Sequence, residues 1–137
     1  MRVVIDTNVL LVSISSKSKY HPIYQAVLNG SIELCFSNSI LEEYEEILSK
    51  RWNPNVAQNV VASLLKSPHA VLVDPRFKWL LINQDPDDDK FVDCAIAANA
   101  VYLATNDAHF SKLKHADTYP PINILNADEL LALLSEL

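Results

Sequence analysis

The chain has 137 residues, with 11 lysines and arginines against 17 aspartates and glutamates and a net charge of −6. That length suits one domain, residues 1–137, with a sizeable core, and a composition half apolar and one-fifth charged is that of a soluble globular protein. The acid excess argues against binding nucleic acid through a basic surface, and the single glycine, Gly30, excludes Walker and dinucleotide glycine loops.

The opening run Val3-Val4-Ile5 is short and β-branched and predicts a buried strand over residues 2–6. Asp6, Thr7 and Asn8 interrupt it, so it is not read as a secretion signal. Residues 20–29 are helix-like and stop at Gly30, and residues 32–36 read as a second strand. Ser39 and Glu42 form an S-x-x-E capping box that opens a helix to about residue 50. Asn53-Pro54 starts another, to about Lys66, and residues 70–73 are a third strand stopped by Asp74-Pro75. Pro86 and the aspartates after it open a helix through about Asn99. Strands follow at 101–104 and 122–125, and Asn126 or Asp128 starts a final helix ending at Leu137. No repeat, linker or apolar stretch of membrane length occurs. Cys35 and Cys94 lie in apolar segments without metal-ligand spacing and read as reduced core thiols, which suits a cytoplasmic protein. Alternation of strand and helix predicts an α/β fold with a parallel sheet. Ligands of such sheets sit beyond the carboxyl ends of the strands. Asp6 and Asp107, each following an apolar run, fall there.

Carboxylates at the ends of buried strands are costly unless a cation or a proton relieves them. Several converging at one sheet edge read as a divalent-metal site. Helix geometry chooses among neighbouring acids. At about 100° per residue, Asp88 shares the direction of Phe91, Val92, Ala95 and Ile96, whereas Asp89 and then Asp93 fall progressively off that face. Asp88 is therefore the preferred acid of the cluster Asp85, Asp87, Asp88 and Asp89, and Asp93 is an outer-rim candidate. The plainer reading of that run is helix capping at the positive dipole end. Glu43 flanks the apolar stripe of its helix, Glu42 is taken up by the capping box, and Glu45 and Glu46 face solvent. Asp6 has capping of a helix near Val9 as its alternative, and Asp107 has capping of the segment 108–113. Asn8 is placed to orient Asp6. His21 and His115 read as surface residues, while His109, two residues after Asp107, is a weak candidate for substrate contact. The pairs Lys17/Lys19, Lys50/Arg51, Arg76/Lys78 and Lys112/Lys114 read as solvated charge.

Four segments carry a family pattern: Val3-Val4-Ile5-Asp6-Thr7-Asn8-Val9-Leu10, Ser37-Asn38-Ser39-Ile40-Leu41-Glu42-Glu43-Tyr44, Asp85-Pro86-Asp87-Asp88-Asp89-Lys90-Phe91 with Ala95, and Tyr102-Leu103-Ala104-Thr105-Asn106-Asp107. In this order they resemble a PIN domain, close to the PIN-family toxin components of bacterial toxin–antitoxin systems. The resemblance covers essentially the whole chain. It implies a three-layer α/β/α sandwich with a parallel sheet of about five strands in the order 3-2-1-4-5, and a metal-dependent ribonuclease. It maps the family's acids onto Asp6, Glu43, Asp88 and Asp107, with Asn8 and Thr105 supporting them. Asp93 has no fixed place in the wider family.

Oxygen donors without a His/Cys cluster suit Mg²⁺ or Mn²⁺. The expected metal ligands are Asp6, Asp88 and Asp107, with Asp93 as a further candidate, and Glu43 positions a water or acts as general base. The expected partners are RNA, an antitoxin and a second copy of the chain, the last two through part of the leucine face of the final helix, Ala127–Leu137. One rival is an aspartyl-nucleophile phosphatase, for which Asp6-Thr7-Asn8 lacks an aspartate at position 8. Another is a catalytically silent PIN-like binding module.

Overall fold

A computed structural model describes residues 1–76, 78–79, 86–110 and 122–137. The elements in chain order are β1 (Arg2–Ile5), α1 (Thr7–Ser13), α2 (His21–Asn29), β2 (Glu33–Phe36), α3 (Asn38–Arg51), α4 (Pro54–Lys66), β3 (Val71–Leu72), α5 (Pro86–Ala97), β4 (Tyr102–Ala104), a 3₁₀ turn (Ala108–Phe110), β5 (Ile124–Leu125) and α6 (Ala127–Ser135). The five strands form one parallel sheet in the order β3-β2-β1-β4-β5. This is the α/β sandwich and strand order that the resemblance implies.

β1 is the central strand, with Val3 in register between Leu34 on β2 and Tyr102 on β4. Helices cover both of its faces, so Val3, Val4 and Ile5 are all fully buried and the strand shows no polar alternation. α5 packs across β1, β2 and β4, α1 and α6 pack on α2, and α3 packs along α4. Cys35 and Cys94 are free and buried in this core, and burial pushes their thiols up to about 11 and about 12. Among the described residues, no helix is long and apolar enough to cross a membrane.

Local chemistry sets the element ends. Asn53 caps α4 by accepting from Val56 N at 2.9 Å, with Pro54 at the first helical position. Asn126 and Glu129 form a capping box at the start of α6, which settles the choice between Asn126 and Asp128. Gly30 ends α2 at φ 89°, in the left-handed region that glycine tolerates.

Three expectations need correction. The N-cap of α3 is Ser37, not Ser39: Ser37 keeps the extended backbone of the preceding strand and its hydroxyl accepts from Ile40 N at 3.2 Å, so Ser39 already lies in the first turn. The capping box of Ser39 and Glu42 is therefore out of frame by two residues. Asp89 does not lie off the buried side of α5; it is only 6 % exposed. The chain leaving β3 crosses that side, where Trp79 N donates to Asp93 Oδ1 at 3.0 Å, so a face that the helix wheel gives to solvent is covered. His21 is half-buried rather than a surface residue, its Nδ1 lying 2.9 Å from Ser13 O. Asp85, His115, Lys112 and Lys114 lie outside the described residues, as does the second half of the segment 108–113.

Candidate metal centre

β1 delivers Asp6 to the carboxyl edge of the sheet and the chain turns there directly into α1. Asp6 serves both structures. Its Oδ1 accepts from Val9 N at 2.9 Å as the N-cap of α1, and its Oδ2 accepts from the Thr105 hydroxyl. Its own N–H donates to Ala104 O at 3.0 Å, which ties the ends of β1 and β4 together. The carboxyl is 6 % exposed. Burial pushes its pKa up, the hydrogen bonds from Thr105 and Val9 oppose this, and the nearby Asp107 and Glu43 carboxylates push it further up.

Glu43 reaches the same edge from the second turn of α3. Its Oε2 accepts from the Thr7 hydroxyl and its Oε1 lies 2.7 Å from Lys90 Nζ, so α1 and α5 both hold it. The next residue, Tyr44, is fully buried and its hydroxyl donates to Ile5 O, fixing α3 against the end of β1. Asp107 follows β4. Its N–H donates to Thr105 Oγ1 at 3.0 Å and its Oδ1 accepts from His109 N at 2.8 Å, so Thr105 links the backbone of one acid to the carboxylate of another.

Asp88, in the first turn of α5, meets this edge through His109. The imidazole Nδ1 is 3.2 Å from Asp88 Oδ2 and 3.4 Å from Asp107 Oδ1. One ligand atom each from Asp88, Asp107 and His109 lie within 4.8 Å of one another. Adjacent donors around an octahedral ion with bonds of about 2.1 Å stand about 3.0 Å apart, so these spacings fit a small divalent cation. Carboxylate oxygens with one imidazole nitrogen admit Mg²⁺ and suit Mn²⁺ well.

The structure thus brings Asp88 and Asp107 together, sets Asp6 close enough to Asp107 and Glu43 for their charges to act on it, and buries Thr105 between Asp6 and Asp107. It does not bring Asp93 into this group. Asp93 lines a recess of about 460 Å³ that Lys90 also lines. Asn8 is exposed on α1, and the groups that orient Asp6 are Thr105 and Val9. Sequence reasoning undervalued His109 and passed over Lys90 and Thr7. Their signal was weak: a histidine two residues after a strand-end aspartate, and a lysine two residues after the preferred acid of α5.

The sequence profile of the family described as PIN domain matches residues 2–109. No curated protein matches the sequence. Among solved structures, a chain of VapBC2 from Rickettsia felis, bound to a DNA fragment from its promoter, aligns with a TM-score of 0.62 and 18 % identity over 92 % of this chain and 98 % of that one. A chain of VapBC-1 from nontypeable Haemophilus influenzae aligns with a TM-score of 0.61 and 15 % identity, over 93 % and 99 %.

Proposed function

The chain belongs to the PIN domain family, and from that premise we propose that it is a Mg²⁺- or Mn²⁺-dependent ribonuclease acting as the toxin of a toxin–antitoxin pair in the cytoplasm. The observation that carries this reading is the meeting of Asp6, Glu43, Asp88 and Asp107, from four separate elements, at the carboxyl edge of a parallel sheet, with His109 between two of them. Asp88, Asp107 and His109 would hold the ion, with Asp6 close to Asp107. Such an ion would supply an acidified water and a counter-charge for a phosphodiester oxygen. Glu43, oriented by Thr7, takes the proton of the attacking water. Lys90, 2.7 Å from Glu43 Oε1, presents an ammonium to the phosphate backbone. RNA is then bound by charge focused at the loaded centre rather than by a basic surface, in keeping with the net charge of −6.

The antitoxin partner rests on the two VapBC neighbours. A homodimer belongs to the same reading, and light scattering of the purified chain tests it. The phosphatase alternative is disfavoured by Asn8, which stands where that chemistry wants a second aspartate.

Digestion of RNA with and without Mn²⁺ tests the proposal. Cleavage requires the ion in the native chain, and Asp6→Asn lowers it at least about 100-fold. Undiminished cleavage by that variant overturns the mechanism. Absence of Mn²⁺ binding by calorimetry favours the silent binding module.

A further inference from the structure

Beside the acids lies the recess of about 460 Å³ that receives Asp93, within the size range of small-ligand sites. Lys90 takes part in both. The ammonium that lies 2.7 Å from Glu43 Oε1 belongs to a side chain that also lines the recess. A group in the recess is therefore a near neighbour of the phosphate that Glu43 would serve. Its lining is mixed. Val73 and Pro75 give an apolar wall, and the start of α3 gives Asn38 and Ser39 at the rim. Among the described residues, three carboxylates, Asp74, Asp89 and Asp93, stand against two lysines, Lys78 and Lys90. An acceptor-rich recess of this kind leaves a phosphate outside, beside Lys90, and favours within it a neutral, flat group that donates hydrogen bonds.

Asp93 supplies a directed acceptor. It is 9 % exposed, and Trp79 N holds its Oδ1 in place at 3.0 Å. Its Oδ2 makes no hydrogen bond among the described residues, and Asp93 lines the recess. Burial pushes the Asp93 carboxyl up and Asp89 adds to this, whereas Trp79 and Lys78 pull it down. A half-satisfied carboxylate at such a depth gains from a charge-assisted donor.

We propose that this recess is a nucleobase subsite of the ribonuclease, which takes the guanine next to the scissile phosphate by its Watson–Crick edge, with Asp93 as the reading residue. The inference rests on the ribonuclease reading for its substrate class. Guanine alone among the RNA bases places two adjacent donors, N1–H and the 2-amino group, on that edge. Adenine and cytosine place a ring nitrogen acceptor beside their amino group, and uracil flanks its one N–H with two carbonyls. Each of these sets an acceptor against the carboxylate. Single-stranded RNA is commonly read in this way, with bases splayed out and their edges hydrogen-bonded.

The test uses free mononucleotides, so that it does not depend on cleavage. In an NMR titration of the whole chain without metal, GMP binds about tenfold more tightly than AMP or UMP, the discrimination expected of one well-placed edge contact. The backbone N–H resonance of Trp79, the donor to Asp93, moves on binding. Asp93→Asn keeps an acceptor for Trp79 N and an almost unchanged shape, and it erases the preference for GMP. Ser39→Trp, at the rim, blocks all three nucleotides. Equal binding of the three nucleotides to the native chain overturns the inference and leaves the metal-dependent cleavage untouched. GMP preference retained in Asp93→Asn overturns the role of Asp93. GMP preference in a chain that cleaves no RNA upholds the subsite while the nuclease reading fails.

Discussion

At Asp6, capping and candidate chemistry meet in one carboxylate. Its Oδ1 caps α1, its Oδ2 accepts from Thr105, and burial and two neighbouring acids hold its pKa above the usual carboxylate value. Between that ordinary value and the raised one, the folded chain binds more protons than the unfolded chain. Stability contributed by this group is therefore present at low pH and declines as pH rises through that window. Above it the penalty is constant. Asparagine caps a helix about as well as aspartate, and its amide can donate to Thr105 Oγ1. Asp6→Asn thus raises the Tm of the metal-free chain at pH 7 by a few degrees, and the gain shrinks below about pH 4. Scanning calorimetry in EDTA at pH 7 and pH 3.5 checks this, and a lower Tm at pH 7 contradicts it. With Mn²⁺ present, the native chain gains stability that the variant does not. Asp6 and Asp107 stand out in the sequence because each follows a short apolar run, although each also accepts a backbone N–H from the turn after it. His109 was not legible, because its role depends on the 3.2 Å between α5 and the turn after β4, a separation that no local pattern encodes.

At the scale of elements, the periodicities place strands and helices well and miss what crosses them. Asp88 was chosen by the wheel of α5 and indeed meets Asp107 and His109. Asp89 and Asp93 were assigned outward because the wheel does not include the chain that leaves β3 and covers that side through Trp79. The choice of Ser39 over Ser37 failed for another reason: Ser39 has Glu42 three residues on to complete a box and Ser37 does not, yet α3 starts directly after β2. Gly30 gives the sharpest test of an element boundary. It closes α2 at φ 89°, and a Cβ there would stand 2.7 Å from His69 Cγ and Nδ1. Two costs are superposed, and only one belongs to the backbone. Gly30→Ala lowers unfolding free energy by about 1–2 kcal/mol through the left-handed backbone alone, with the imidazole clash added. Adding His69→Ala removes the clash and leaves the backbone part. Urea denaturation of the two single variants and the double variant checks this. Additive effects would show that the ring moves aside freely.

For the molecule as a whole, the matched family segment ends at residue 109, yet the candidate site leans on the chain beyond residue 121. Thr105 N donates to Leu125 O at 2.8 Å, Leu103 N to Asn123 O at 2.9 Å, and Ala127 N to Asn106 Oδ1 at 2.9 Å. β5 and the start of α6 therefore brace both residues that precede Asp107, and α6 also covers α2. A variant ending at residue 121 turns β4 into an edge strand and uncovers α2. It melts well below the native chain, as circular dichroism during heating will show. A native Tm in that variant removes β5 and α6 from the support of the site.

β1 lies in the middle of the sheet, although its partner β4 is about a hundred residues further along. A ribosome working at about 5–20 residues per second makes β1 about 5–20 s before β4. During that interval Asp6 has neither Thr105 beside it nor Asp107 across from it. A nascent chain therefore holds no assembled acid cluster until β4 and the residues after it have been made.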